Sequence, residues 1–284
     1  MLCKVVGLAP STYYYRSVAE DDPEIRSLVE AVAAEYPRYG YRRITAQLRR
    51  LGHAVNHKRV LRIMREESLL VQVRCYVRTT WSEHAYPRHP NLIQGLEIVR
   101  PDQVWCADIT YIRLIEEFVY LAVVLDVYTR VVRGWALGRH LGENLTLTAL
   151  RRALARRCPG IHHSDQGMQY CSGAYTGELR VTGARISMSA TGQPTQNAYV
   201  ERWIRTLKEE EVYLSDYENY GEACGNIEHF IGEVYNKKRI HSSLGYLTPM
   251  EFEAAYYAKA VHRSDEGHGI SLGEAHLLEE VIVA

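Results

Sequence analysis

The sequence has no apolar run near the ~20 residues of a membrane span, and its N-terminus lacks the basic and apolar regions of a signal peptide. Cys-x-x-Cys pairs are missing too: Cys3, Cys75, Cys106, Cys158, Cys171 and Cys224 are scattered along the chain. That spacing disfavours a disulfide framework and a structural zinc site, and it fits reduced thiols in the cytoplasm. Phenylalanine is scarce, three against 21 tyrosines, a bias without an evident physical cause. Net charge is lacking as well, since 34 Lys+Arg balance 34 Asp+Glu. The distribution is less even. Tyr36 to Pro90 holds 12 Lys+Arg and three Asp+Glu, Arg151 to Val200 holds six and two, and the last 34 residues hold two and seven. Such segregation suits a local phosphate-binding surface.

What is present is ordinary globular material, 46% hydrophobic and 24% charged over 284 residues, enough for one large core and a small second domain. Asp22-Pro23 reads as a cap and first helical residue, and Ile25, Leu28, Val29 and Val32 predict a helix over Pro23–Glu35. A second helix carries Ile44, Leu48 and Leu51 and stops at Gly52. Asn56 caps a third, with Val60, Leu61 and Met64 inward and Lys58, Arg59, Arg62 and Arg65 outward. Two short helices joined by a turn, the second basic, predict a helix-turn-helix that enters a DNA groove through those four cations. Residues 1–73 are thus expected to form a small all-α DNA-binding domain, with a linker over 74–98 that holds Pro87, Pro90 and Gly95.

The larger domain, residues 99–261, opens with strands at Gln103–Leu114, Val119–Val127 and Val131–Leu137, a meander with Arg130 in its second turn. A helix at Thr146–Arg157, a strand at Gly160–His163 and helices at Gln196–Val212 and Gly221–Tyr235 follow, with a basic loop over Asn236–His241. The fold class is α/β, a mixed sheet flanked by helices. Residues 262–284 read as an acidic tail, disordered until Leu272, with a short apolar helix from Gly273 onward as the alternative.

Three carboxylates stand out. Asp108 lies inside Val-Trp-Cys-Ala-Asp-Ile-Thr-Tyr-Ile, where a charge in mid-strand is costly unless paired or metal-bound. Asp165 ends the strand in His-His-Ser-Asp-Gln-Gly, and Glu201 sits on a helix in Asn-Ala-Tyr-Val-Glu-Arg-Trp, with 35 residues between the two. Converging, they make an oxygen-only site suited to Mg²⁺ or Mn²⁺. A competing reading pairs Glu201 with Arg205 as a helix ion pair worth about 0.3–0.5 kcal/mol. Asn197, Glu201, Arg205 and Lys208 share one helix stripe by spacing. His162 and His163 read as hydrogen-bonded structural residues, and Trp105 and Trp203 as core aromatics.

Asp-Ile-Thr-Tyr-Ile, His-Ser-Asp-Gln-Gly-x-Gln-Tyr, the interval to Glu201 and the tail Tyr-Asn-Lys-Lys-Arg-x-His-x-x-Leu-Gly-Tyr-x-x-Pro together resemble a DDE transposase. More narrowly, the chain from about Leu8 to about Ala255 resembles the second-reading-frame product (OrfB) of the insertion-sequence-three family, relatives of retroviral integrases. The resemblance implies a ribonuclease-H-like core in which Asp108, Asp165 and Glu201 are the catalytic residues and hold two Mg²⁺ ions, with Mn²⁺ substituting. It implies cleavage and strand transfer at the 3′ ends of a mobile element in double-stranded DNA, with Asn197, Arg205 and Lys208 along the bound end. It also implies a homo-oligomer on DNA and an upstream-reading-frame partner (OrfA), working in a bacterial cytoplasm. The three acids are expected to converge even without metal. One departure is Gln196-Asn197-Ala198, where relatives carry Asp-Asn-Ala; Thr195 is then expected to cap the Glu201 helix. The alternatives are a nuclease of the same fold without joining activity, and a non-catalytic DNA-binding regulator.

Overall fold

Short apolar runs build a five-stranded mixed sheet in the computed structural model, which describes residues 23–70, 88–190 and 193–265. Strands β1 (Val104–Arg113), β2 (Phe118–Asp126) and β3 (Val132–Gly138) form the antiparallel meander, and β4 (Ile161–Ser164) and β5 (Arg185–Met188) add in parallel, in the order β3-β2-β1-β4-β5. Period-two alternation sends Cys106, Ile112, Leu121, Val123 and Leu125 to one face. There they pack against Val200, Trp203 and Leu207 of helix α7 (Ala198–Glu210). Trp105, Ala107, Ala122 and Val124 point the other way, onto Leu150 of α4 (Glu143–Leu154) and Leu179 of α6 (Gly173–Val181). Between β4 and α6 lies a single turn of helix, α5 (Met168–Cys171).

One buried arginine ties the start of the sheet together. Arg133 on β3 donates to Asp102 ahead of β1 (2.9 Å) and to Glu253 of the last helix, α9 (Pro249–Asp265), and lies 3.8 Å from Asp126 at the end of β2. α9 opens on a reciprocal capping box, with Thr248 Oγ1 accepting from Glu251 N and Glu251 Oε2 accepting from Thr248 N. Arg239, in the basic loop over Asn236–His241, is buried and bidentate on Glu210 at the end of α7 (2.6 and 2.7 Å). That part of the tail motif fastens the α7 helix.

The chain divides into two units, Met1–Val71 and Gln72–Ala284. In the first, α1 (Pro23–Glu35), α2 (Tyr41–Arg50) and α3 (His57–Glu66) bury Val29, Val32, Ile44, Leu48, Val60, Ile63 and Met64. Asn56 caps α3, its Oδ1 accepting from Lys58 N at 2.9 Å.

Several sequence expectations need correcting. Leu51 is exposed just past the end of α2, and Ile63 fills the core in place of Leu61, which is only half-buried. Within the expected linker, free to pack partly on the next domain, Leu92, Ile93 and Ile98 pack on the core, and Leu92 N donates to Ser187 Oγ on β5. α4 starts at Glu143, behind a Gly142 cap with no side-chain hydrogen bond to advertise it. The helix expected over Gly221–Tyr235 is α8 (Tyr220–His229) followed by a π-helical turn over Phe230–Tyr235. α9 runs through Asp265, four residues into the expected tail, because no Gly or Pro interrupts His262–Asp265. The remainder of that tail, residues 71–87 and the Asp22 cap lie outside the described residues.

Candidate active site

The sheet presents Asp108 on the face shared with Cys106 and Ile112, half-buried, with Ile109 N donating to its Oδ1 at 2.8 Å. β4 pairs with β1 only from Val104 to Cys106, and one residue after its end comes Asp165. Asp165 Oδ1 accepts from Gly167 N at 2.9 Å, and a Cβ on Gly167 would stand 2.9 Å from that same oxygen. The turn thus needs glycine for space, not for an unusual φ. α7 supplies Glu201 from its first turn, on the exposed side.

Asn197 does not lie on an outward stripe with Glu201 and Arg205. It precedes α7, is buried, and donates from Nδ2 to Ala107 O at 3.1 Å, bolting the helix start to β1 beside Asp108. Its position is the N-cap of α7, though it makes no side-chain cap hydrogen bond, so Thr195 is not the cap. Gln196 accepts from Ala190 N (2.7 Å) and donates to Gln193 (2.8 Å), closing the turn that leads into the helix.

Burial is the largest influence on the Asp108 carboxyl, followed by the charge of Asp165; with Glu201 adding to them, they push it up to about 8. The Ile109 N–H and Lys208 oppose the shift. The charges of Asp165 and Glu201 thus both reach Asp108. The three acids are not a ready-made cage: among the described residues no three His, Cys, Asp or Glu side chains stand close enough to hold a metal ion. Glu201 is on the solvent side of its helix. Lys208, at the other end of α7, sits with Nζ 4.4 Å from the centre of the Tyr111 ring; burial lowers its pKa while Asp108 raises it. No helical or strand periodicity announces that contact, because it crosses from α7 to β1. Arg205 is exposed. In the first unit, Lys58 and Arg65 are exposed, Arg59 is half-buried, and Arg62 pairs with Glu66 at 3.2 Å.

The two histidines are internal. His162 Nε2 meets the Tyr175 hydroxyl at 2.9 Å and His163 Nδ1 meets Ser187 Oγ at 2.8 Å. Burial drives the His162 pKa down to about 3 from 6.5. The unfolded chain takes up this proton as pH falls through 6.5, whereas the folded chain does not until about pH 3. The stability it protects is full above 6.5 and is lost as pH drops towards 3, on the order of 1 kcal/mol of it by pH 5.5. Urea unfolding at pH 7.5 and 5.5 should show that loss in the native chain, and a His162→Asn variant should lose about 1 kcal/mol less. An equal loss in both proteins would mean that His162 is not the group titrating.

Family models define the class, the integrase-type polynucleotidyl transferases, and the sheet order with its helical layers is compatible with it. An integrase core domain matches residues 99–194, a second integrase core domain matches 182–249, and an HTH-like domain matches 20–76. The chain is 37% identical over 231 residues to the transposase for insertion sequence element IS904 of Lactococcus lactis subsp. lactis (strain IL1403), covering 79% of this chain and 91% of that one. It is 33% identical over 266 residues to the transposase InsF for insertion sequence IS3A of Escherichia coli (strain K12), covering 89% and 92%. An uncharacterized 31 kDa protein of insertion element IS600 from Shigella sonnei is 36% identical over 91% of this chain and all of that one. Similar solved structures include the simian T-cell lymphotropic virus intasome in complex with PP2A regulatory subunit B56 gamma (TM-score 0.47, 18% identity, 80% of this chain and 74% of that one). The catalytic core domain of BIV integrase is another (TM-score 0.43, 18% identity, 56% and 99%). The chain belongs to the insertion-sequence-three family of transposases.

Proposed function

We propose that this chain cuts the 3′ ends of its insertion sequence and joins them to target DNA, with Asp108, Asp165 and Glu201 as the catalytic residues. The observation that carries the reading is the placement of the three acids: Asp108 on β1, Asp165 one residue past the end of the paired strand β4, and Glu201 on α7, whose start Asn197 ties to β1 beside Asp108. An oxygen-only set with excess negative charge fits a hard divalent cation, Mg²⁺ or Mn²⁺, and two such ions, when bound, neutralise charge on the scissile phosphate and activate the attacking oxygen. Asp108 and Asp165 are held by backbone N–H groups and form the fixed part of the site. Glu201, on an exposed helix turn, completes it by rotating its side chain. Joining exchanges one phosphodiester for another: a freed 3′-hydroxyl attacks a target phosphorus, the new P–O bond replaces the broken one, and no protein–DNA covalent intermediate forms.

Lys208 and Arg205 put positive charge along the DNA strand leaving the acids, while Lys58, Arg59, Arg62 and Arg65 hold phosphates beside the groove entered by α3. Asn197 serves from inside, through Ala107. The working form is a homo-oligomer on DNA in the cytoplasm, assisted by the upstream-reading-frame product. Among the described residues no helix is long and apolar enough to cross a membrane.

The test uses a pre-cut fragment from the DNA flanking its own gene, a supercoiled plasmid and Mg²⁺. Joined products are expected. Hydrolysis without joining would favour the nuclease, and metal-independent binding alone the regulator. In the same material, Lys58→Glu with Arg65→Glu should flatten the log–log salt dependence of binding by about two units, one per lost phosphate contact. An unchanged slope would mean that this face of α3 does not touch DNA.

A further inference from the structure

Two contacts join β1 to α7, and two of the acids lie between them. At one end Asn197 Nδ2 donates to Ala107 O at 3.1 Å; at the other Lys208 Nζ stands 4.4 Å from the centre of the Tyr111 ring. Along β1, Asp108 falls between Ala107 and Tyr111, and along α7, Glu201 falls between Asn197 and Lys208. The ring at the far contact has no part in the fold's core. Tyr111 is 56% exposed, and Phe118 on β2, edge to face with it at 6.0 Å, is 53% exposed. By alternation Tyr111 points to the other side of β1 from Asp108. The pairing of β4 stops at Cys106, however, so β1 is an edge there and Lys208 reaches the ring around it. A strand of DNA passing the acids can follow the same path. The distance is short: three residues of β1 span about 10 Å, about three stacked nucleotides of one DNA strand. Arg113, exposed and on the ring's side of β1, adds a second cation. Exposed rings interleaved with cations hold unpaired nucleotides, the cations taking phosphates and the rings taking the faces of bases. An ammonium over an exposed ring is weakly held, and a phosphate oxygen is a stronger partner for it.

We propose that Tyr111 is a base-stacking residue for the DNA end held at the acids: Lys208 leaves the ring for a phosphate, and an unpaired base close to the cut 3′ end takes its place. The proposal rests on reading the three acids as the site of cutting and joining. Tyr111 orients the end and takes no part in bond making.

Two variants of the full chain test this. Tyr111→Thr removes the ring but keeps a strand-forming residue, and Tyr111→Phe keeps the ring. Both should unfold close to the native urea midpoint, because the side chain is exposed. The probe is the pre-cut element end carrying 5-iododeoxyuridine at each of its last three positions in turn, bound without Mg²⁺ or target and irradiated. Peptide mass spectrometry should place an adduct on Tyr111 from one of those positions, and on the ring of Tyr111→Phe from the same one. In joining assays the KM of Tyr111→Thr for the pre-cut end should rise about fivefold or more, while kcat at saturating end stays within about twofold. Tyr111→Phe should match the native chain in both. No adduct on Tyr111 from any position, or a Tyr111→Thr KM within about twofold of native, would overturn the proposal and leave the catalytic reading standing. A native chain that joins no ends would overturn the catalytic reading, and this inference with it.

Discussion

Glu201→Gln should leave joining at least a thousandfold below the native rate, a loss of about 4 kcal/mol of transition-state stabilisation. The amide keeps the size and most of the shape of the carboxylate, but it is a poor ligand for a hard cation. Because Glu201 is exposed and adds to the repulsion felt by Asp108, the substitution should shift stability by no more than about 0.5 kcal/mol. DNA binding should persist, since no cation is altered. Single-turnover joining, urea unfolding and a binding isotherm on one preparation separate these outcomes. Joining retained at a tenth of native would leave Glu201 as nothing more than the surface partner of Arg205.

Gly134→Ala should produce the largest loss of stability, 3 kcal/mol or more, even though it adds one methyl group. Gly134 lies on β3 where α4 crosses closest. A Cβ there would come 2.2 Å from Ala149 O and 2.7 Å from Ala153 N, both backbone atoms that no side-chain rotation can move aside. The helix has to lift, and with it Leu150 and its layer of the core. The measurement is the urea midpoint, with circular dichroism to establish that a folded population remains. A loss below 1 kcal/mol would show that α4 can slide along β3 without losing its packing.

The sequence revealed the sheet's first three strands because each is long enough for alternation to show, as in Val119, Leu121, Val123 and Leu125 facing one way. α5, α6 and β5 left no such mark. They span four, nine and four residues, too few for a period to declare itself. α9 falls in the C-terminal helical extension expected of residues 99–261, and its start was legible: Thr248-Pro249-Met250-Glu251 carries both a capping box and a proline at the first helical position. At the candidate site, Asp108, Asp165 and Glu201 are proposed from residue type, context and spacing. The buried place of Asn197 was hidden, since helical spacing assumes that the helix has already begun, and here it begins one residue later.

The shortness of β4 has a consequence for what the enzyme can take hold of. Beyond Cys106 no described strand pairs with β1 on the β4 side, so Asp108 stands where the sheet opens sideways and Tyr111 is 56% exposed. A catalytic group at the bottom of a closed pocket must be fed a chain end. One on an open flank can be approached by the middle of a polymer, and an unbroken circle needs no threading to reach it. On the proposed function, the cut end of an element and an interior bond of its target would both reach Asp108 from that open side.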